Sequence, residues 1–429
     1  MSAQSRRSSW NPMETDMAPI VVVGASLGGL RAVERLRAGG WDQRIIVIGA
    51  EPHMPYNRPP LSKDLLTAEP SDREVLDEKL AFRLKKSVHD VEWILGTRVV
   101  SADLDGQSIT LSDGEEISYS GLVIATGLRP RRLEMAEGAV GLHVIRTRED
   151  SMGLYEDLHR EPRPHVTVIG AGFIGCEAAA SATQLGCSVT VIEGSTGPFE
   201  RVVGPRLAAA FRNVLESRGV TFIGGERVTA LECEERAGSQ RVAAAVLSSG
   251  RTVPTDVIIQ AIGSAPNVEW LQGNGLDLSD GVHCDESLRV RGVRNVVAVG
   301  DIARFPDPKY DIPDRRVEHW STPTDTAKVA ARSLLADLAV CDESAPAHVP
   351  PSFWSDLFEI RIQGYGLIRA DLDTEFLEGQ IDAVADGSAV AYQRDGRTVG
   401  VLTVGLPPQR QLFYRRQLED ADALLLTTK

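Results

Sequence analysis

Cysteine is sparse in this chain. Five occur in 429 residues (Cys176, Cys187, Cys233, Cys284 and Cys341), none before position 176, with no C-x-x-C pair and no metal-ligand spacing. That pattern excludes a disulfide-stapled scaffold and a cysteine-held metal centre; it suits buried free thiols in a reducing cytoplasm, and no metal is expected. Long apolar runs are also missing: none approaches 18 residues, so no membrane span is expected. Positive charge is in deficit, with 46 Lys and Arg against 60 Asp and Glu and a net charge of −14, which argues against nucleic acid as a partner. The opening residues carry no apolar core of a signal peptide, and residues 1–18 read as a disordered tail.

What is present begins at Val21. The stretch VVVGASLGGLRAVERL runs from an apolar strand through a glycine-rich turn into a helical pattern. About 20 residues further on, IIVIGAE ends in the acid Glu51. This is the layout of a dinucleotide-binding βαβ unit, in which glycines permit a tight turn and backbone N–H groups face a pyrophosphate. Gly24 and Gly29 hold the outer positions of the G-x-G-x-x-G spacing, and Ser26 replaces the middle glycine.

The pattern then repeats. VTVIGAGFIGCEAAASATQLGCSVTVIE, Val166 to Glu193, fills all three positions with Gly170, Gly172 and Gly175, and Glu193 ends the second strand. One fingerprint is weak evidence; two in one chain predict two nucleotide sites. Between the copies, PHMPYNRPPLSKDLL reads as an extended loop because of Pro59 and Pro60, and residues 146–164 read as a helix followed by a proline-rich crossing. After the second copy come β-type runs, an apolar strand ending in Gly300 and Asp301, the knot Glu318, His319 and Trp320 before a helix, and a polar joint at 343–352. An acid at the carboxyl end of a parallel strand is where α/β sheets place ligand contacts.

In order, GASLGGL, YNRPPLSK, ATGLRPRRL, GAGFIGCEAA, AIGSAPNVEWL, AVGDIARF, EHW and FWSDLFEIRIQ resemble the FAD-dependent ferredoxin reductases that feed bacterial oxygenases, putidaredoxin and rubredoxin reductases among them. Apoptosis-inducing factor is a more distant likeness. The resemblance implies an α/β chain of two Rossmann-like nucleotide-binding domains plus a small α+β C-terminal domain. It puts FAD on residues 19–145 and 265–342, NAD on 146–264, and a C-terminal reductase domain at 343–429.

Position by position, the resemblance implies an FAD site turned by Gly24, Ser26, Gly28 and Gly29, with Gly28 on the pyrophosphate and Glu51 on the adenosine ribose. Arg58 and Lys63 would lie near the flavin ring, Val99 at the adenine end, and Ala125, Thr126, Gly127 and Arg129 on the pyrophosphate side. Gly300 and Asp301 would meet the ribityl chain, and Glu318, His319 and Trp320 would complete the site, Trp320 bordering the isoalloxazine. The NAD site would use Gly170, Gly172, Phe173, Ile174, Gly175, Ile262 and Gly263. Glu177 would stand beside the nicotinamide, Glu193 at the ribose and Arg201 at the adenine half. No residue is nominated as an essential acid or base, but Lys63 and Glu177 are expected to pair. The threonines of TDT, Thr324 to Thr326, depart from the family's usual Glu-Gln-Gly-like stretch.

The implied function is an NADH-dependent ferredoxin reductase, cytoplasmic, monomeric or homodimeric, passing electrons through FAD to a ferredoxin-type iron–sulfur protein. It would serve an oxygenase such as a cytochrome P450. A flavin disulfide reductase needs a redox cysteine after the first nucleotide unit, and there is none. The remaining alternative is a non-turnover NADH-sensing flavoprotein resembling apoptosis-inducing factor. Because ferredoxins are acidic as a class, docking is expected against arginines, with Arg315, Arg316, Arg410, Arg415 and Arg416 as candidates.

Glu193 generates a prediction. A carboxylate at the end of that strand favours ribose hydroxyls and repels a 2′-phosphate. NADH should therefore be preferred over NADPH in kcat/KM, and Glu193→Ala should narrow the preference. A native preference for NADPH would contradict this reading.

Overall fold

The computed structural model describes residues 17–69, 71–236, 238–342 and 351–426. Most of the expected N-terminal tail and of the joint at 343–352 lies outside them.

The first glycine turn joins β1 (Ile20–Val23) to α1 (Leu27–Ala38), which returns to β2 (Ile45–Gly49). Strands β3 (Glu92–Leu95) and β4 (Gly121–Ile124) follow, then α2 (Arg148–Leu158). The second turn joins β5 (His165–Ile169) to α3 (Phe173–Gln184), succeeded by β6 (Ser188–Glu193), β7 (Thr221–Gly224) and β8 (Val257–Gln260). Then come β9 (Val296–Ala298) and α4 (Thr322–Asp337). The chain closes with β10 (Ser352–Leu357), β11 (Ile360–Gly366), β12 (Asp373–Glu378), β13 (Ser388–Arg394), β14 (Arg397–Val404) and α5 (Pro408–Leu426).

These elements build three main sheets. The first, in the order β9-β4-β1-β2-β3, is parallel throughout. The second, in the order β7-β6-β5-β8 with an edge strand at Leu142–His143, is parallel as well. Strands β1, β2 and β4 are wholly buried runs of mostly β-branched or leucine side chains, as strands covered on both faces must be. The third sheet, β10-β11-β14-β13-β12, is antiparallel and alternates buried with less buried residues along β10.

Strand β9 and helix α4 arrive late in sequence yet complete the first sheet, β9 beside β4 and α4 packed on α1. In both parallel sheets the order reverses at the first strand, β1 or β5, because its two neighbours are reached in opposite directions. A crevice opens at the carboxyl ends of the strands there.

One local expectation is corrected. Residues 52–66 are not simply extended: Pro59–Ser62 forms a 3₁₀ turn and Asp64–Thr67 a helical turn. The prolines sit at the first positions, where a missing N–H costs nothing and a fixed φ favours the turn. In α2 the reciprocal capping box of Thr147 and Asp150 explains why the helix begins where it does.

Candidate functional site

Both glycine turns are made by the same steric demand. A Cβ on Gly24 would lie 2.1 Å from the Ala125 carbonyl oxygen, and one on Gly170 would lie 2.3 Å from that of Ala261. A Cβ on Gly29 would lie 1.9 Å from the Gly24 oxygen, and one on Gly175 would lie 2.1 Å from the Gly170 oxygen. The outer glycines are therefore required by the chain itself. The middle position is different: a Cβ on Gly172 meets nothing within 4 Å. Open space in front of a helix N-terminus is a cradle for an incoming phosphate group. In the first unit Ser26 holds this position, and its hydroxyl caps no N–H of α1.

Between the two turns lies a cavity of about 910 Å³. Ser26, Gly28, Arg58, Lys63, Ala125, Gly127, Arg129, Gly300 and Asp301 line it from the first unit; Gly172, Phe173, Ile174, Gly175, Glu177 and Gly263 line it from the second. Glu318, His319 and Trp320 line it too, together with Phe353 and Trp354 of the C-terminal sheet.

Several charged groups meet in the cavity wall. Lys63 Nζ lies 2.7 Å from Glu177 Oε2, so the expected pair exists, spanning the loop after the first unit and α3 of the second. Asp301 lies deep in the wall, and its Oδ1 has no hydrogen-bond partner among the described residues. Burial, with Glu318 adding to it against Arg146 and Arg316, pushes its carboxyl up to about 7. His319 is pushed down to about 4 by burial and then by Arg315, so its imidazole is neutral at neutral pH. The Gly300 N–H donates to Thr326 Oγ1 at 2.9 Å, which in turn donates to the Thr322 carbonyl at 2.6 Å. The departure at TDT thus ties the end of β9 to the start of α4.

Other predicted residues stand at the margin. Glu51 accepts from Tyr56 Oη and Arg58 Nη2, both at 2.6 Å. Thr126 and Asn267 clasp each other's backbone carbonyls at 2.9 Å. The Arg129 guanidinium is held by Glu269. Val99 packs on the first unit's core and is not among the residues lining the cavity. In the second unit Glu193 accepts from the Ala171 N–H at 2.6 Å and the Ser195 N–H at 3.0 Å. Ile262 packs against a hydrophobic cluster, and Arg201 is exposed on the short helix Glu200–Val203.

The donor set fits a dinucleotide pair: two glycine turns, an unpartnered buried acceptor at Asp301 and an open cradle at Gly172. The comparisons agree. The family model for pyridine nucleotide-disulphide oxidoreductases matches residues 18–327.

The chain belongs to that family.

Putidaredoxin reductase of Pseudomonas putida is 33% identical over 394 residues, covering 90% of this chain and 89% of that one. A ferredoxin–NAD(P)(+) reductase of a Sphingomonas species is 33% identical over 409 residues, covering 95% and 94%. Among solved structures, a covalent putidaredoxin reductase–putidaredoxin complex matches with a TM-score of 0.83 at 30% identity, over 94% of this chain and 93% of that one. The resemblance read from the motifs therefore holds: the chain is an FAD-dependent oxidoreductase of the ferredoxin reductase group, with FAD and NAD(H) as its cofactors.

The disulphide of the family's name has no counterpart here. The five cysteines are free, none lines the cavity, and burial pushes the thiol of Cys176, beside Glu177, well above its ordinary value.

Four of the five arginines nominated for docking are paired with carboxylates. Arg315 bonds Asp307, and Arg316 pairs with Asp280 and Glu318; their side chains are 14% and 10% exposed. Arg410 is paired with Glu378 and Arg415 with Glu419. In a chain with this excess of acid, most arginines find a carboxylate nearby.

Three contributors escaped the sequence. Arg146 lies deep in the cavity wall, where burial lowers its pKa and Arg58 lowers it further. Its position at the end of the apolar run HVI was an available signal. Ser62 and Ser355 both donate to Glu177; each lies within a motif quoted above, YNRPPLSK and FWSDLFEIRIQ, but neither motif reveals the carboxylate it meets.

Asp301 yields a pH prediction. Between the ordinary 3.8 and about 7, the folded chain holds one more proton than the unfolded chain, so the apoprotein loses stability as pH rises through that window. Asp301→Asn should flatten the fall, read as the change in urea midpoint between about pH 4 and about pH 8. An equal fall in both proteins would contradict the assignment.

Proposed function

We propose that the protein carries electrons from NADH through FAD to a ferredoxin-type iron–sulfur protein that supplies an oxygenase, such as a cytochrome P450. We assign FAD to residues 19–145 and 265–342 and NAD to 146–264, with 343–429 as the C-terminal reductase domain, in a cytoplasmic monomer or homodimer. The observation that carries the proposal is the single cavity shared by both glycine turns, with no cysteine in its wall. Its support from relatives is that similar chains of nearly the same length are named as reductases of putidaredoxin and ferredoxin.

The bound flavin supplies the conversion of a two-electron hydride into single electrons. The chain's own task is to bind, align and exclude. Gly172 leaves its cradle open to a pyrophosphate, and Glu193 offers the ribose an acceptor already oriented by Ala171 and Ser195. Arg146 brings positive charge to the wall of the first site, where a pyrophosphate needs it. Asp301 supplies an acceptor for a hydroxyl. Phe173 stacks on Phe199 and meets Phe353, both at 4.9 Å, forming an apolar wall that excludes water near Glu177.

Electrons then need a way out. Trp320, 40% exposed, sits edge-on to Trp354 at 5.2 Å, and its indole N–H donates to Asn57. This aromatic pair, exposed Trp320 and half-buried Trp354, is the proposed contact for the iron–sulfur partner.

The test is NADH-driven reduction of cytochrome c through an added [2Fe–2S] ferredoxin. Turnover should depend on the ferredoxin, and Trp320→Ala should raise its KM by about tenfold, as truncating an interface tryptophan does. A flavin that NADH reduces but no iron–sulfur acceptor reoxidises would overturn the proposal and favour a sensing role.

A further inference from the structure

One buried carboxylate collects donors from two separate parts of the chain. Glu177, 6% exposed on α3, receives Lys63 Nζ and Ser62 Oγ at its Oε2, each at 2.7 Å, from the loop that follows the first unit. Its Oε1 receives Ser355 Oγ at 2.6 Å, from β10 of the C-terminal sheet, and the Asp356 N–H lies 3.4 Å away. Ser355 is wholly buried.

We propose that Ser355 is a positioning residue for hydride delivery: its hydroxyl fixes the plane of the Glu177 carboxylate beside the nicotinamide. This rests on the placement of the nicotinamide next to Glu177. The geometry shows why a second anchor is needed. Lys63 and Ser62 both grip the same oxygen, and the terminal torsion of a glutamate is broad and two-fold. Without Ser355, Oε1 keeps only the Asp356 N–H at 3.4 Å, too long to hold it firmly; with Ser355 at 2.6 Å the plane of the carboxylate is set. A charge whose distance from the reacting ring varies stabilises the developing charge less than one held still. The C-terminal sheet thereby contributes to the first half-reaction as well as flanking the mouth.

A merely structural role for Ser355 would satisfy a buried acceptor and nothing more, so the experiment separates the two. Holoprotein, Ser355→Ala and Ser355→Cys are mixed anaerobically with NADH, and flavin bleaching is followed over a range of NADH concentrations. FAD content, thermal unfolding and the change in flavin absorbance on adding NAD+ are measured in parallel. Loss of a hydrogen bond to a charged group is expected to lower the limiting rate by about tenfold or more in Ser355→Ala. NADH affinity, the NAD+-induced absorbance change and FAD content should stay within about twofold of the parent.

Cysteine keeps the shape with a weaker donor, so Ser355→Cys should recover part of the rate. It also reads the role if the alanine protein does not fold. Limiting rates per bound flavin equal to the parent's in the folded variants would overturn the proposal. So would a cysteine variant no faster than a folded alanine one. If NADH fails to reduce the parent itself, the proposed function falls and this inference falls with it; a normal parent with an insensitive Ser355 overturns the inference alone.

Discussion

The carbonyl oxygens of Ala125 and Ala261 stand where β-carbons on Gly24 and Gly170 would be, and the rest of the molecule depends on that closeness. Because each strand end touches the turn beside it, helices α1 and α3 start directly over the crevice between diverging strands, with their N-termini aimed into it. The third glycines, Gly29 and Gly175, let each helix lie against its own turn. A methyl group at any of these four positions would push backbone from backbone, which no rotamer change relieves. The two turns then open into one cavity rather than two, and the pairing of cofactors follows from this shared space.

Charge organises the cavity as firmly as sterics do. Removing one member of a buried pair such as Lys63 and Glu177 leaves a desolvated ion, typically costing about 3–5 kcal/mol. Asp301 and Arg146 lie in each other's field, and Asp301 Oδ1 has no partner among the described residues, so it retains capacity for a ligand. An unsatisfied buried atom such as Asp301 Oδ1 is usual where a protein holds something other than itself. Elsewhere carboxylates and arginines pair at the surface, contributing little to stability; Arg410 and Arg415, two of those nominated to meet an acidic partner, are held in this way. The mouth of the cavity is marked instead by aromatic surface at Trp320 and Trp354.

Much of this was legible in residue order because it is local. Strand, glycine turn, helix and terminal acid lie within some 30 residues, and repetition removed the ambiguity of a single copy. The pairing of Lys63 with Glu177 followed from the family likeness. What escaped depends on distant chain. Ser355 reaches Glu177 across 178 residues, and although it lies within FWSDLFEIRIQ nothing there points to its partner. Arg315 and Arg316 announce their charge but not their partners, Asp307 and Asp280, which the fold alone brings close. Pro59 and Pro60 suggested an extended loop because proline breaks helices, yet at the first positions of a turn it starts one.

The central claim is that a flavin between two nucleotide turns is the sole redox store in this chain, with no thiol pair behind it. The most direct test is an anaerobic titration of the FAD-loaded protein with NADH, counting equivalents against the flavin absorbance. The account predicts that a single equivalent of NADH per bound flavin completes the reduction and that no further electrons are taken up. Uptake of a second equivalent with formation of free thiols would contradict it, as would a flavin that NADH leaves oxidised.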